Sequence, residues 1–508
     1  DSAGISNLGD EAITLSDTSL TAAVLNTLDG NTSGTIDATA VTTLTSDDYD
    51  SLNTAYTSAN SGAITGLGDE VISISDKIRA SEANTLNGHT TGVITATVTD
   101  SDGTGNLNIS SALNLNGTGN AYSIRIKEKT VSASDLLAID SITTTTVNAQ
   151  NIRTLEGSYS DVIASYNAET AGTISGLGNN CNFNISGAIT VAEANTLSAL
   201  ITASNRRLTA TISDGDMATL AGISESSHNL TTTITDTSVA AAALNTLDGK
   251  TDTEIDAGNI TTLSGAAADL ITAYDSAGIS NLGDEAITLS DTSLSAAVLN
   301  TLDGNTSGTI DATAITTLSG AAADLITAYA SAGISNLGNE AVSVSSGTAS
   351  TSQANTLAAA TSGIVTATLS DGDLATLAGL TETGNAYSIT ISDTRVNAEE
   401  LNALNNETTI NIDGSNITQI TGAVDDIATA YTAGGITGLG DEEVIFTFAN
   451  INARSLNAID AANSRVINAS GVAALTGNAA ALNIAYASSG ISGIGDEPVT
   501  LTDTSLIA

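Results

Sequence analysis

Two loops carry oxygen-bearing side chains at a spacing that could hold a metal ion. In the first loop, oxygens recur at alternate positions, and Gly34 stands where a sharp turn is needed. Such a pattern fits the flexible oxygen coordination of Ca²⁺. We therefore predict no cofactor apart from calcium, which both loops could hold. Their oxygens come from Asp29, Asn31, Ser33 and Asp37, and from Asp303, Asn305, Ser307 and Asp311.

A purely structural role is the alternative for these loops. The stretch from Asp29 to Asp37 resembles the first nine positions of EF-hand and dockerin calcium loops. Where those loops end in a bidentate glutamate, this chain has Ala40, or Ala314 in the copy. A helix C-terminal cap followed by a turn rich in Asn and Asp would use the same residues.

Paired aspartates form a second candidate cation site. An Asp-Gly-Asp loop can hold a hard cation with the help of backbone carbonyls. Asp216 and Asp373 could equally be the N-caps of short helices that follow them. The pairs are Asp214 with Asp216 and Asp371 with Asp373, and a related pair is Asp100 with Asp102.

A recurrent Gly-Asp-Glu motif places two carboxylates side by side. Two carboxylates hydrolyse a glycoside only when they converge on one sugar, whereas neighbours on an extended chain point to opposite faces. The motif therefore indicates a solvated acidic face, or calcium held between modules. It occurs at Asp10–Glu11, Asp69–Glu70, Asp284–Glu285, Asp441–Glu442 and Asp496–Glu497.

Other catalytic patterns are missing from the sequence. It contains no Ser/His/Asp set, phosphate-binding loop or nucleotide fingerprint. Zinc sites need clustered Cys and His ligands, and Cys181, His89 and His228 are far apart in the chain. We predict that the protein is not an enzyme.

The chain repeats itself. Residues 275–318 repeat residues 1–44 with two changes, Thr21 to Ser295 and Val41 to Ile315. A shorter motif, G-I-S/T-x-L-G-D/N, recurs with a mean period of 54 residues. Fixed periods of this kind are typical of solenoids. The isoleucine of the motif falls at Ile5, Ile64, Ile174, Ile279, Ile334, Ile436 and Ile491.

About nine modules account for residues 1–508. We predict one continuous solenoid whose modules start near residues 5, 64, 119, 174, 228, 279, 334, 384 and 436, with a partial tenth from 491. Each module divides into two similar halves of about 27 residues.

Each half-module predicts a short strand followed by a short helix. Ile13–Ser16 alternates like a strand with one buried face, and Asp17–Ser19 could cap a helix start. Apolar residues then recur at i, i+3 and i+6 over Ala22–Leu28, and Gly30 suits a helix C-terminus. The second half repeats the scheme over Glu254–Tyr274 with an Ala-rich helix.

Stacking must provide the core, because units this short cannot bury one alone. The predicted fold class is therefore an α/β solenoid, in which strand–helix coils stack into a rod with a parallel sheet and two coils form each module. Strand–helix alternation is similar to that of leucine-rich repeats, although the spacing departs from L-x-x-L-x-L-x-x-N.

An asparagine follows the helix leucine in eight modules, and Leu137 takes its place once. An Asn amide can bond its own turn and the neighbouring coil, which predicts an asparagine ladder along the stack. The alternative is that each Asn only breaks up a helix end. The eight residues are Asn26, Asn84, Asn195, Asn245, Asn300, Asn355, Asn402 and Asn457.

Tyrosines recur shortly before the motif isoleucine. We predict that they cover the core, and the alternative is a stripe that binds a ligand. They are Tyr56, Tyr166, Tyr274, Tyr329, Tyr431 and Tyr486.

Charge and composition exclude several partners. The 508 residues carry 12 Lys+Arg and 56 Asp+Glu, a formal charge of −44. Nucleic acids and anionic membrane surfaces attract clustered cations, so neither is an expected partner. No apolar run is long enough to span a bilayer, and one cysteine cannot form an internal disulfide.

Both ends of the sequence fall inside a repeat. The last stretch, GISGIGDEPVTLTDTSLIA, matches Gly4–Ala22. We expect the stack to continue beyond this sequence, either in a longer chain or by head-to-tail contact with an identical copy. The expected partner is therefore the protein itself.

The run TSLTAAVLNTLDG and its relatives resemble repeats of very large bacterial surface proteins, notably cyanobacterial adhesin-like, matrix and S-layer-like chains. The resemblance covers the whole chain through composition and repeat style. It implies an extracellular or cell-surface scaffold.

Two functions follow as hypotheses. The first is a structural extracellular protein that forms or decorates a filament, sheath or surface layer. The alternative is an adhesin stalk or fibre that presents a repeated face to a glycan or to another cell.

Overall fold

The computed structural model describes residues 9–102, 104–178, 181–224 and 226–504. The first predicted module start, Ile5, lies outside these residues. The chain forms two compact units. The first contains Asp1–Asp236, Thr246–Gly258 and Ala277–Ser280, and the second contains Thr237–Asn245, Asn259–Ser276 and Asn281–Ala508.

Short strands alternate with short helices throughout both units, and the strand ladders are parallel. The predicted repeating α/β arrangement is confirmed at this level. Among the described residues, no helix combines the length and the apolarity that crossing a membrane requires.

One helix belongs to each repeat of the strand–helix scheme. The helices of the described residues are α1 Ala22–Asn31, α2 Tyr49–Asn60, α3 Ala80–Asn87, α4 Ile109–Leu113, α5 Ala133–Asp140, α6 Tyr159–Ala171, α7 Val191–Ser198, α8 Met217–Leu220, α9 Ala241–Asp248, α10 Ala267–Asp275, α11 Ala296–Asn305, α12 Ala322–Ala330, α13 Thr351–Ala360, α14 Leu374–Leu377, α15 Ala398–Asn405, α16 Val424–Thr432, α17 Ala453–Ala462 and α18 Ala479–Ala487.

Among the residues that the structure describes, four sheets form in the first unit. Their strands, in spatial order, are β1 Ile13–Thr14, β3 Ile36–Asp37 and β5 Ile64–Thr65; β2 Ser19–Thr21, β4 Thr43–Ser46, β6 Val71–Ile78, β7 Ile94–Val98 and β8 Ala121–Ile124; β10 Val147–Asn148 and β12 Ile174–Ser175; and β19 Ile279–Ser280, β17 Ile255–Asp256, β15 Asn229–Thr233, β14 Leu208–Ile212, β13 Asn182–Ile189, β11 Thr154–Gly157 and β9 Thr130–Ser132.

Six sheets form in the described part of the second unit. They are β16 Ser238–Ala240, β18 Thr262–Gly265, β20 Ala286–Leu289, β22 Ile310–Asp311 and β24 Ile334–Ser335; β21 Ser293–Ser295, β23 Thr317–Ala321, β25 Ala341–Ser346, β26 Val365–Thr368 and β27 Ala386–Ser388; β28 Arg395–Asn397, β30 Gln419–Gly422 and β32 Glu443–Phe446; β29 Ile412–Asp413 and β31 Ile436–Thr437; β33 Asn450–Asn452, β35 Ala474–Gly477 and β37 Val499–Leu501; and β34 Ile467–Asn468 and β36 Ile491–Ser492.

Equivalent apolar residues face one another across the ladders. Leu20 pairs with Leu44, and Leu44 pairs with Ile72. Leu44 and Ile72 are fully buried. A residue of one coil is therefore covered by its counterpart in the next coil, which is how units too short to bury a core on their own obtain one.

Helix α1 begins later and ends later than the sequence predicts. Ser19–Thr21 is a strand because it pairs with β4, so Thr21 rather than Asp17–Ser19 caps α1 through its hydroxyl and the Val24 amide. Gly30 lies inside α1 rather than beyond it. The helix ends at Asn31, because the extended Thr32 that follows is bonded to the Glu11 carbonyl at 2.7 Å. The predicted apolar stripe is confirmed at Ala22 and Leu25, both of which are buried.

Candidate functional site

The aspartates of the two predicted calcium loops bond to hydroxyl and amide groups. Asp29 accepts a 2.7 Å hydrogen bond from Ser58, and Asp37 accepts bonds from the hydroxyl and amide of Thr39. These bonds lower the pKa of Asp37 below its usual value. Asp29 thus bonds to the next helix, whereas Asp37 closes a turn of its own.

The second loop repeats these contacts. Asp303 accepts a 2.7 Å bond from Ser331, and Asp311 accepts bonds from Thr313 and from the Asn336 amide at 2.8 Å. The two loops are therefore built alike, and each aspartate has a hydrogen-bond donor of the protein beside it.

The paired aspartates cap helices. Asp216 accepts from the Thr219 amide and Asp373 from the Thr376 amide, both at 2.9 Å, which confirms the N-cap interpretation. Asp214 and Asp371 bond to the first amides of α7 and α13, both at 2.7 Å. Each of these two pairs therefore satisfies two helix N-termini, the following one and the preceding one. In the related pair, Asp100 bonds to Asn108, and Asp102 to Thr104 and Lys127.

Calcium binding by these loops stays a prediction. Within the described ranges, no three His, Cys, Asp or Glu side chains converge as metal ligands would. If calcium is structural, adding EDTA lowers the thermal unfolding midpoint of the purified chain, because a ligand of the native state stabilises it. Restoring Ca²⁺ should restore the midpoint, and an unchanged midpoint would contradict the prediction.

The eight repeated asparagines make one recurrent contact. Each side-chain amide donates to a backbone carbonyl about one coil ahead, at 2.7–2.9 Å. Asn300, for example, bonds to the Asp324 carbonyl in α12. The contact joins successive coils, as an inter-coil hydrogen bond in a ladder would.

Buried glutamates are the feature that sequence reasoning missed. The expected solvated face is wrong for Glu70, Glu285 and Glu442, which are at most 1% exposed, although the aspartates beside them are exposed. Glu340, which follows Asn339, is buried in the same way. Each carboxylate bends back to the amide of the glycine two residues earlier. In the Glu285 copy this distance is 2.9 Å.

Tyrosines supply the second donor to these carboxylates. The Tyr274 hydroxyl donates to Glu285 at 2.9 Å and Tyr431 to Glu442 at 2.6 Å. The same pairing occurs for Tyr56 with Glu70, Tyr329 with Glu340 and Tyr486 with Glu497. Tyr166 differs, because its hydroxyl donates to the Gly178 carbonyl at 2.8 Å. A constant spacing of 11 residues in four of the pairs was the signal that could have identified them.

A threonine and a glycine complete this contact on the following coil. Thr306 donates to the Glu285 carbonyl at 2.8 Å. A Cβ on Gly308 would lie 2.2 Å from the same oxygen, so this position has no room for a side chain. Thr32 with Gly34, Thr90 with Gly92 and Thr361 with Gly363 repeat the arrangement.

His228 stands where two other coils have an asparagine. Asn120 and Asn385 accept the amide of the first residue of β7 or β26, both at 2.8 Å. His228 Nδ1 accepts the Leu208 amide at 3.4 Å, and its Nε2 lies 2.7 Å from the Ser198 hydroxyl. Since Nδ1 must offer a lone pair, Nε2 carries the proton and donates it to Ser198. Nε2 therefore cannot act as a general base toward that hydroxyl.

Asparagine should replace His228 with little effect. We expect His228→Asn to keep the free energy of unfolding within about 1 kcal/mol, because Asn fills this position elsewhere in the chain. His228→Ala should cost about 2–4 kcal/mol, since it leaves a buried amide and hydroxyl without this partner and opens a cavity. Urea denaturation and hydrogen exchange at the Leu208 amide would measure both, and equal losses in the two variants would contradict the assignment.

Two further tyrosines predict alkaline unfolding. Burial raises the pKa of Tyr122 and of Tyr387 to about 12, from an ordinary value of 10.0. The folded state thus favours the neutral phenol. Each raised pKa contributes roughly 2–3 kcal/mol to the free energy of unfolding. This contribution is complete below pH 10 and disappears as the pH rises to about 12.

Circular dichroism and tyrosinate absorbance would test this expectation if both are followed from about pH 9 to about pH 12, the range over which the two tyrosines should ionise. We expect structure to be lost as Tyr122 and Tyr387 ionise. Phenylalanine at both positions should shift the loss to higher pH. Ionisation of every tyrosine near pH 10.0 without structural change would contradict it.

Comparisons with protein-family models, with curated proteins and with solved structures gave no match to this chain. The polar groups described here bond between coils and within turns. The bonds between coils hold successive coils together, and those within turns fix the turns.

Proposed function

We propose that the chain is a structural extracellular protein that forms or decorates a filament, sheath or surface layer, and that the coils of each unit stack as a solenoid. The observation that carries the proposal is the recurrence of the inter-coil contacts. The Asn amide bond, the Tyr–Glu pair and the Thr–carbonyl bond return from coil to coil.

Such a use of polar residues favours a scaffold. The side chains of Asn402, Tyr431 and Asn463, for example, each bond to a neighbouring segment of the stack. In a repeat protein, stability is roughly the sum of the intrinsic terms and these nearest-neighbour contacts. A scaffold whose length is set by its number of modules needs stability that comes from contacts between neighbouring coils.

The charge supports an extracellular setting. A formal charge of −44 makes copies repel one another and keeps them soluble. Salt shortens the range of this repulsion to about 8 Å at physiological ionic strength. Assembly of such a chain is therefore favoured where salt or divalent cations screen it.

The adhesin alternative receives less support from the tyrosines. A binding stripe requires accessible rings with free hydroxyls, and five of the six hydroxyls donate to glutamates. Tyr486, at 42% exposure, is the most open of the six.

Negative-stain electron microscopy of the native material, with its intact mass, tests the proposal. Filaments, sheets or uniform rods that assemble further in salt or Ca²⁺ are the expected result. Separate globular particles under all of these conditions would overturn it. Rods that never assemble but bind immobilised glycans would favour the adhesin alternative.

A further inference from the structure

One site in the second unit departs from the repeat toward large apolar residues. Ile445 stands where the equivalent coils have a small hydroxyl residue, namely Thr14, Ser73, Thr288, Ser343 and Thr500. Phe448 stands where six coils have an aspartate, namely Asp17, Asp76, Asp236, Asp291, Asp393 and Asp503, and where the Ser343 coil has Ser346.

The aspartate that Phe448 replaces has a structural task. In four coils its carboxylate accepts a hydrogen bond of 2.6–2.7 Å from the first amide of the preceding helix. These aspartates are Asp236, Asp291, Asp393 and Asp503. Phe448 cannot accept a hydrogen bond. The helix that precedes it, α16, starts after Ala423, which makes no side-chain cap either. The chain thus gives up an inter-coil cap at this coil.

An exposed groove that combines large apolar side chains with polar ones takes its place. Phe448 is 64% exposed, Val466 57% and Ile445 41%. Together with Phe446 and Arg465 they line a groove of about 610 Å³. Two of the three phenylalanines of the chain therefore lie in one groove.

The strand ladder is interrupted beside the groove. In several equivalent coils the two strands are paired, as Ile287 is with Ile310, whereas β8 with β10 and β27 with β29 are not. Here, within the described part of the chain, the sheet β28-β30-β32 ends at β32, and β34 pairs with β36. A strand end with large exposed apolar side chains is a surface that favours association.

We propose that this groove is a contact surface for a second copy of the chain. The inference rests on the proposed scaffold function and names one of its contacts. Arg465 is one of three cations in the second unit, and it lies beside the apolar side chains. Every copy presents exposed aspartates such as Asp284 and Asp441, which the Arg465 guanidinium complements.

Sedimentation equilibrium of the full chain tests the contact. We expect concentration-dependent association that strengthens as sodium chloride screens the net repulsion. Phe448→Asp should lower the association constant at least about tenfold, because it removes the most exposed aromatic anchor. The variant should fold normally, since it restores the aspartate that four other coils use as a cap.

Two further variants sharpen the test. Ile445→Thr restores the residue type of the repeat and should weaken association by a smaller factor. Ile364→Thr removes an apolar side chain that is 57% exposed but lies outside the groove, and it should leave association unchanged.

The outcomes separate this inference from the proposed function. A wild-type chain that stays monomeric at all concentrations and salt levels, or a Phe448→Asp chain that associates like wild type, overturns the inference. If Phe448→Asp material still forms ordered assemblies by electron microscopy, the scaffold proposal stands and this contact fails. If the groove binds only another protein or a glycan, the inference that a second copy of the chain occupies it is also wrong.

Discussion

Replacing Gly308 by alanine is expected to destabilise the coil that follows Glu285 by about 2–4 kcal/mol. The added Cβ would lie 2.2 Å from the Glu285 carbonyl oxygen, and a backbone oxygen held by Thr306 at 2.8 Å cannot move aside cheaply. The coils must separate, which breaks the Thr306 bond. Hydrogen exchange of the amides in β20 and β22 would measure the local loss, and urea denaturation the global one.

Gly304 provides the matched control four residues earlier. A Cβ there meets nothing within 4 Å, and the residue lies inside α11. Gly304→Ala should stabilise the chain by about 0.5–1 kcal/mol, because alanine loses less backbone entropy in a helix. Equal effects of the two substitutions would refute the packing argument.

Replacing Glu285 by alanine is expected to cost about 3–5 kcal/mol. The side chain is fully buried, and it accepts the Gly283 amide at 2.9 Å and the Tyr274 hydroxyl at 2.9 Å. Alanine leaves both donors in a desolvated position without an acceptor. Tyr274→Phe should cost less, since it removes the donor and leaves the glycine amide bonded.

Glu11 is the control for Glu285 because their local sequences are nearly identical. Glu11 accepts the Gly9 amide at 2.7 Å but is exposed, and that bond lowers its pKa below the usual value. Glu11→Ala should therefore change the free energy of unfolding by less than about 1 kcal/mol. Urea denaturation of both variants would show the contrast, and similar losses would mean that burial does not decide the effect.

Much of the fold could be predicted from the sequence. The alternation near Ile13 and the apolar spacing from Ala22 to Leu25 specify a strand and a helix by local periodicity alone. The exact helix ends could not be predicted this way. Thr21 becomes the cap because Ser19–Thr21 pairs with another strand 24 residues ahead, and such pairing depends on tertiary contacts.

The polar contacts were harder to predict than the fold. Glu285 follows an exposed aspartate in a Gly-Asp-Glu motif, so composition alone suggests that both are solvated. Its burial becomes intelligible only when Tyr274, 11 residues earlier, is recognised as its donor. His228 was likewise an isolated histidine until the structure placed it in register with Asn120 and Asn385.

Calcium binding could not be decided from the sequence, because one spacing of aspartates is compatible with two different structures. The same aspartates that could bind a cation are satisfied by hydroxyls and amides, as Asp311 is by Thr313 and Asn336. A hydrogen-bonded turn and a metal loop use the same side chains at the same spacing, so only a measurement with and without the ion separates them.

The aspartate caps that run from one coil to the helix before it have a consequence for folding order. The first amide of α10 is satisfied by Asp291, 24 residues later in the chain, so this helix start is complete only after the next coil has been synthesised and docked. A nascent chain would therefore carry one unfinished coil at its growing end. Mature coils, in contrast, unfold in blocks of several neighbours, because opening one leaves the coil before it uncapped.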